Sequence, residues 1–366
     1  MIFLLVMSST VSLIATVFLI RQSRMSAPVY GEKPQRFHAG EVPRVGGVSI
    51  LAGVVVGWIL AAATSHFQNW LNVGISWSFS FYWVAAALPA VLGGIFEDLT
   101  QTLSVRYRLL FTAFSAALAC TLLDLSVQRL GLPVFDGWLL MVPSAGIGLA
   151  FLAVCGLPHA FNIIDGYNGL AGTVALLICV SVAHVALQLG DRELAAMVIC
   201  LIGATAGFLF WNYPRGLIFA GDGGAYLWGL VIAIASILLV QRHEQVSPWF
   251  PMLLLIYPVW ETIFSIYRKL VRGGSPGVAD ALHFHQLIYR RIVRGVFHDD
   301  ESRRMLMRNN RTSPYLWSFT LLAVVPAVLF WNNTPVLMAF CTLFVLTYVS
   351  VYIAIIRFKV PGWLRH

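Results

Sequence analysis

Apolar residues run along the chain in long blocks cut by short polar segments, from Ile2 almost to the C-terminal tail. A hydrocarbon core about 30 Å thick takes roughly 20 apolar residues in helix. Eleven blocks reach that scale, at about residues 2–20, 46–64, 80–96, 109–123, 144–160, 170–189, 194–211, 222–241, 250–266, 314–331 and 335–356. The pattern predicts an all-α, polytopic integral membrane protein of about eleven transmembrane helices. No repeat or low-complexity tract divides it, so residues 1–366 read as a single transmembrane domain, with 267–313 as its one large polar loop.

Composition agrees with the blocks. Of 366 residues 59% are apolar and only 11% charged, and the mean hydropathy of +0.79 lies far from soluble domains. No Lys or Arg precedes the first block and no small-residue cleavage site follows it, so it is expected to stay as a helix and not to be a removable signal. Cys120, Cys155, Cys179, Cys200 and Cys341 all fall inside blocks without metal-ligand spacing, which reads as packing.

Charge sets the orientation. With the N-terminus outside, the inner segments hold 21 of the 24 Lys and Arg residues, leaving Arg129, Arg192 and Arg242 outside. The sequence therefore places its polar inner loops in the cytoplasm.

Those loops carry the candidate chemistry. His159–Gly172 reads H-A-F-N-I-I-D-G-Y-N-G-L-A-G, with Asp165 at the mouth of a span, Asn162 and Asn168 three residues to either side, and glycines that allow close approach. Pro43–Gly47 reads P-R-V-G-G. It is either a positive anchor before a Gly-rich helix start or a place where Arg44 and the Gly46 and Gly47 backbone meet an anion. Glu97 and Asp98 close the third block beside Arg106 and Arg108, either as a solvated loop or as acids facing a cavity. Asp222, between Gly221 and Gly223, opens the eighth block, where it complements a helix dipole or holds a metal-bound phosphate. Glu261 is one more intramembrane acid, as readily a structural ion pair as a catalytic group. In the large loop His283-Phe284-His285 precedes an amphipathic stretch whose Leu282, Leu287, Ile288 and Ile292 are available to the membrane interface and whose Arg290, Arg291 and Arg294 to headgroups. His283 and His285 are too close in sequence to share a helical face, and a zinc site would need ligands from elsewhere. Phosphate contact and a solvated loop both remain open for the pair.

Taken against topology, Arg44, Glu97, Asp98, Asp165, Asp222 and the two histidines all fall on one membrane face. Several carboxylates with cations at one face suit Mg²⁺, which takes oxygen ligands and bridges phosphates, so the implied substrate is a diphosphate. A lipid phosphate anchored in the bilayer could supply the nucleophile. Two alternatives stand beside this reading: a secondary transporter of an anionic solute, and a catalytically inactive scaffold. Gathering of the acids at one face, not at the midplane, disfavours transport.

In these motifs the chain resembles the polyprenyl-phosphate N-acetylhexosamine-1-phosphate transferases of glycosyltransferase family 4, closest to the O-antigen-initiating branch. The marks are P-R-V-G-G at 43–47, E-D followed by S-V-R at 97–106, N-I-I-D-G-Y-N-G-L at 162–170, G-D-G-G-A-Y-L-W-G at 221–229 and H-F-H at 283–285, in family order. The resemblance implies transfer of a sugar 1-phosphate from a UDP-sugar, UDP-GlcNAc or a relative, to undecaprenyl phosphate. UMP would leave, with Mg²⁺ or Mn²⁺ as cofactor, at the bacterial inner membrane, beginning a cell-envelope polysaccharide such as lipopolysaccharide O-antigen. By motif, Asp222 matches the metal-binding acid. Asp98, with Glu97 beside it, matches the acidic pair acting near the lipid phosphate, and Asp165 the acid of nucleotide and metal handling. Arg44, Arg106, Asn162, Asn168, His283 and His285 fall among the substrate contacts. The chain departs from the family at Glu97, Gln101 and His159, where Asp, an acid and Asn are usual. No nucleic acid is implied, and a homodimer is left open.

Overall fold

In the computed structural model the described residues are 1–25, 42–64, 75–273, 282–296 and 298–357, and among them every regular element is α-helical. Lys33 and Arg36 of the basic segment after the first block, the start of the H-x-H loop at 274–281, and Lys359 and Arg365 of the tail lie outside the described residues. The helices are α1 (Ile2–Met25), α2 (Gly46–Thr64), α3 (Trp77–Thr100), α4 (Val105–Leu122), α5 (Pro133–Met141), α6 (Pro143–Ile164) and α7 (Leu170–Gln188). They continue with α8 (Arg192–Asn212), α9 (Gly221–Arg242), α10 (Trp249–Leu254), α11 (Ile256–Val271), α12 (Phe284–Arg291), α13 (Glu301–Leu329) and α14 (Thr334–Ile356).

Among the described residues ten helices are long and apolar enough to cross a membrane. The expected ninth span is instead delivered as two pieces, α10 and α11, that meet at Leu255. Pro258 explains the break, because it has no N–H to give the carbonyl of Leu254 and its ring crowds that turn. The pair still crosses the bundle. Trp249, at the start of α10, donates from Nε1 to the Leu130 carbonyl at one end (2.9 Å), while Arg268, near the end of α11, donates to Ser265 and Tyr352 beside the H-x-H segment at the other. Counting it gives eleven passes, with α1 starting at one face and α14 ending at the opposite one.

Two further expectations change. Within 267–313 the described residues 267–271, 284–291 and 301–313 are helical, and α13 begins at Glu301, thirteen residues before the block that marked it. The apolar side of α12 is not offered to the bilayer interface: Leu287, Ile288 and Ile292 are 1%, 3% and 5% exposed, covered by α13 and α14. An amphipathic pattern reports that one side is covered, not whether lipid or protein covers it.

The bundle is built around α9. It packs against α2, α3, α4, α6, α7 and α8, and nearly every residue from Gly221 to Leu239 is buried. Glycines let the backbones approach. A Cβ on Gly47 would strike the Gly223 and Gly224 backbone, one on Gly94 would lie 2.5 Å from the Gly223 nitrogen, and one on Gly229 would lie 2.5 Å from Pro158. Helix breakers inside spans find substitute partners: beyond Pro89, the Ala90 N–H donates to Ser115 Oγ of α4 at 2.8 Å. Large apolar side chains face outward around the rim, among them Phe81, Phe114, Leu152, Leu322 and Leu346. On the face away from the acids, Arg129 Nη2 donates to the carbonyls of Val240, His243 and Val246, closing the end of α9, and Arg242 pairs with Asp191 and Glu193. With Arg192 at the start of α8, these are the three cations that the charge count put outside.

Candidate active site

At the face opposite Arg129, the ends of α2, α3, α4, α6 and α9 bring Arg44, Asp98, Arg108, Asp165 and Asp222 together. The scaffold is backbone first. Pro43–Gly47 lies along the segment before α9: Phe219 N–H donates to the Pro43 carbonyl (2.9 Å), Gly46 N–H to Phe219 O (2.9 Å) and Gly47 N–H to Ala220 O (2.8 Å). The Gly46 and Gly47 amides are therefore spent inside the protein, which fits the reading of this motif as a Gly-rich helix start and not as an anion site. Only the Arg44 side chain of that motif reaches the acids, with Nη2 3.9 Å from Asp222 Oδ1.

Asp98 is buried, and both its oxygens are taken by the first turn of α9: Asp222 N–H donates to Oδ1 at 2.9 Å and Gly223 N–H to Oδ2 at 3.0 Å. An acid from α3 thus fills the anion-binding end of α9. The glycines around Asp222, expected to give a phosphate access, are packed against Gly47 and Gly94 instead, and Gly221 supplies a left-handed turn at φ +69°.

Asp222 turns its carboxylate the other way. Oδ2 accepts from Arg108 Nη1 at 3.1 Å and from the Tyr226 hydroxyl at 3.4 Å. Among the described residues Oδ1 has only the longer approach of Arg44. Asp165, at the C-cap of α6, is half-buried and accepts no hydrogen bond among the described residues, although it lies in the fields of Arg44 and Asp222. Burial pushes its carboxyl up to about 7; Arg44 pulls against that rise and Asp222 adds to it.

The remaining sequence candidates divide. Asn162, one turn before Asp165, faces the Tyr226 hydroxyl. Asn168, expected among the substrate contacts, is buried and turned into the scaffold. Its N–H donates to Asn309 Oδ1 (2.8 Å), its amide to Asn310 Oδ1 (2.9 Å), and its carbonyl accepts from Ser313 (2.6 Å). The spacing that put it opposite Asn162 holds only within one helix, and α6 ends at Ile164. Arg106 is exposed away from the acids; the arginine on Asp222 is Arg108. Glu97 leaves the cluster too, accepting from Leu103 N–H at 2.7 Å to shape the turn into α4, where Gln101 takes a left-handed φ of 53°.

His159 donates to or accepts from Thr112 Oγ1 at 3.0 Å and sits edge-on to Tyr226, with ring centroids 5.1 Å apart. Tyr226, Thr112 and His159 were not read as a group in the sequence. A signal existed: Arg108, Thr112, Ser115 and Ala119 mark one face of α4 at helical spacing, while Arg106, Leu110 and Phe114 mark the other.

This arrangement has relatives. Residues 80–240, which span α3 to α9 and hold Asp98, Asp165 and Asp222, match glycosyl transferase family 4. A probable undecaprenyl-phosphate N-acetylglucosaminyl 1-phosphate transferase of Bacillus subtilis (strain 168) is 28% identical over 259 residues, 69% of this chain and 66% of its own. An undecaprenyl-phosphate alpha-N-acetylglucosaminyl 1-phosphate transferase of Escherichia coli (strain K12) is 27% identical over 297 residues, 77% of this chain and 75% of its own. One of Thermotoga maritima is 28% identical over 260 residues, 70% and 72% of the two chains. Residues 80–240 are thus similar to glycosyl transferase family 4, and the likeness to these three transferases extends over two thirds or more of the chain.

Beyond the matched stretch, the chain carries its H-x-H segment over the same end of the bundle. His283 is the N-cap of α12 and has extended backbone, so it lies outside the helix that holds His285. The two rings therefore stack, 5.4 Å apart and within 6° of parallel, despite the sequence spacing that set them on different helical faces. His285 meets the loop after Asp165: a Cβ on Gly166 would lie 2.9 Å from its Nε2, and its ring stands edge-on to Tyr167 at 5.5 Å.

Proposed function

We propose that the chain transfers an N-acetylhexosamine 1-phosphate from a UDP-sugar of the UDP-GlcNAc type to undecaprenyl phosphate, releasing UMP. The relatives' names support the lipid phosphate acceptor and the sugar. The observation that carries the reading is the meeting of Asp165, Asp222, Arg44 and Arg108 from four separate helix ends at one face of a membrane bundle.

In such a reaction a lipid phosphate oxygen attacks the β-phosphorus of the donor, the bond to the α-phosphate oxygen breaks, and UMP carries away the charge. The protein's work is placement and neutralisation. Arg44 and Arg108 set positive charge beside the phosphates. Asp98 acts through α9, fixing the height and direction of Asp222 without touching substrate. His283 and His285 face the diphosphate from above the Asp165 loop.

Mg²⁺ or Mn²⁺ fits the donor set. Among the described residues no three His, Cys, Asp or Glu side chains converge to hold an ion by themselves. Mg²⁺ is commonly bound by one or two carboxylates with the rest of its shell from water and substrate phosphates. Asp165, which accepts no hydrogen bond among the described residues, and Asp222 Oδ1 are the oxygens that would hold it, and it would supply charge neutralisation on the phosphates.

The positive face supports a cytoplasmic site in a bacterial inner membrane. All three cations that the charge rule puts outside lie at the opposite end of the bundle.

The test is UMP release by purified protein from a panel of UDP-N-acetylhexosamines with undecaprenyl phosphate and Mg²⁺. Lipid-dependent release that disappears in Asp222→Asn supports the reading. No release with any donor, from folded protein, overturns it.

A further inference from the structure

We infer that Glu261 is a positioning residue of the site: it fixes the orientation and proton placement of His283 and, through it, the H-x-H segment. The inference rests on the proposed transfer reaction only for what the segment then does to substrate.

Glu261 lies on α11 and is fully buried, in the half of a broken span that Pro258 begins. Its carboxylate collects three donors from two other helices. Oε1 accepts from His283 Nδ1 at 2.9 Å and from the Phe284 N–H at 3.2 Å, and Oε2 accepts from the Tyr348 hydroxyl of α14 at 2.6 Å. A carboxylate can only accept, so Nδ1 must carry the proton and Nε2 is the nitrogen left for other chemistry. Ser265 Oγ lies 3.0 Å from the same Nδ1 and itself accepts from Arg268 at 2.7 Å, while Arg268 donates to the Tyr352 hydroxyl at 2.6 Å. Among the described residues the charged and titratable groups facing His283 are Glu261 and Arg268 from α11, His285 from α12 and Tyr348 and Tyr352 from α14, with Tyr257 behind Glu261.

The chain of contact continues toward the acids. His283 stacks on His285, and His285 rests on Gly166, the residue after Asp165. A buried carboxylate orienting a histidine from behind is how such rings are set for ligands in many sites, and loss of that partner typically costs about 10–100-fold. Glu261 reaches no substrate itself. It decides which way the histidine presents.

The test uses the full chain in lipid nanodiscs, with Glu261→Gln, Tyr348→Phe, His283→Ala and the double variant Glu261→Gln/His283→Ala. Glu261→Gln is expected to lower kcat/KM for UMP release by about 10–100-fold, with a milder loss in Tyr348→Phe. Added to His283→Ala it should cost nothing further, because Glu261 acts through that ring. Hydrogen exchange reads the same latch without activity: Glu261→Gln should speed exchange in peptides over 282–291 and leave α9 unchanged. Should the wild type release no UMP, the transfer reading fails while exchange still decides the latch. Multiplicative losses in the double variant, or exchange over 282–291 unchanged in Glu261→Gln, would overturn it.

Discussion

Two adjacent glycines on α3 should respond to the same substitution in opposite ways. A methyl at Gly94 would sit 2.5 Å from the Gly223 nitrogen and 2.7 Å from the Asp222 carbonyl carbon, both backbone atoms that cannot swing aside. Ordinary contact starts at 3.4 Å, so Gly94→Ala must drive the first turn of α9 away from α3 by about 0.9 Å. The bonds from Asp222 and Gly223 to Asp98, now 2.9 and 3.0 Å, would open to about 3.8 and 3.9 Å, past hydrogen-bond range. Two hydrogen bonds to a charged group, at ~1.5–3 kcal/mol each, are lost. A displacement near 1 Å in a catalytic constellation costs about 100-fold in rate. At Gly93 the three atoms nearest the methyl all belong to the Phe111 side chain, Cγ at 2.6 Å and Cβ and Cδ2 at 2.8 Å, on a residue at the exposed rim of α4. Gly93→Ala should cost ~1–3 kcal/mol of stability by crowding and leave turnover near wild type. The assay is lipid-dependent UMP release with melting temperatures on both variants. Wild-type turnover in Gly94→Ala, or equal loss in the two, would refute the claim that α9 is held in register by this contact.

Arg108→Ala should lower kcat about 100-fold or more through loss of positive charge beside the phosphates, whereas Arg106→Ala should stay near wild type; steady-state kinetics on the pair separates them. For Asp165, turnover that needs the carboxylate falls as pH drops through about 7, and Asp165→Asn removes that limb from the pH–rate profile. Its stability contribution runs the other way: a raised carboxyl favours the folded state when protonated, so it is full below 3.8 and is lost as pH rises through about 7. Thermal melts of wild type against Asp165→Asn should therefore diverge over that window. Chelation of divalent ions should abolish UMP release and added Mg²⁺ restore it, while Mg²⁺ shifts the Asp165 limb to lower pH.

The helices were legible because a span announces itself by length and composition alone, and even the broken ninth span kept its place in the count. The acids were legible too, since Asp98, Asp165 and Asp222 are costly at a membrane boundary and stand out from apolar runs. What the sequence misassigned was direction. Arg106 and Arg108 differ by two residues, and only the small-residue face through Thr112 and Ser115 tells which one turns inward. Asn162 and Asn168 look symmetric about Asp165 until the helix ends between them. The glycines of P-R-V-G-G and G-D-G-G leave packing and ligand access both open in the sequence, and in the fold they serve backbone packing, because a glycine in sequence does not say what approaches it. Glu261 and His283 stand 22 residues apart in the chain, and no local pattern joins them.

The position of α9 in the bundle also orders its assembly. The helices it packs against, α2, α3, α4, α6, α7 and α8, all precede it in the chain, so its surroundings exist before it is synthesised. Asp98 waits for the α9 amides, and the acidic floor closes as soon as that helix enters. The histidine segment is different. Glu261 and His283 emerge after the floor, and Tyr348, which holds the far oxygen of Glu261, is on the last helix. A nascent chain therefore carries a finished floor under an unmoored cover until α14 is in place, and the site becomes whole only with the final pass through the membrane.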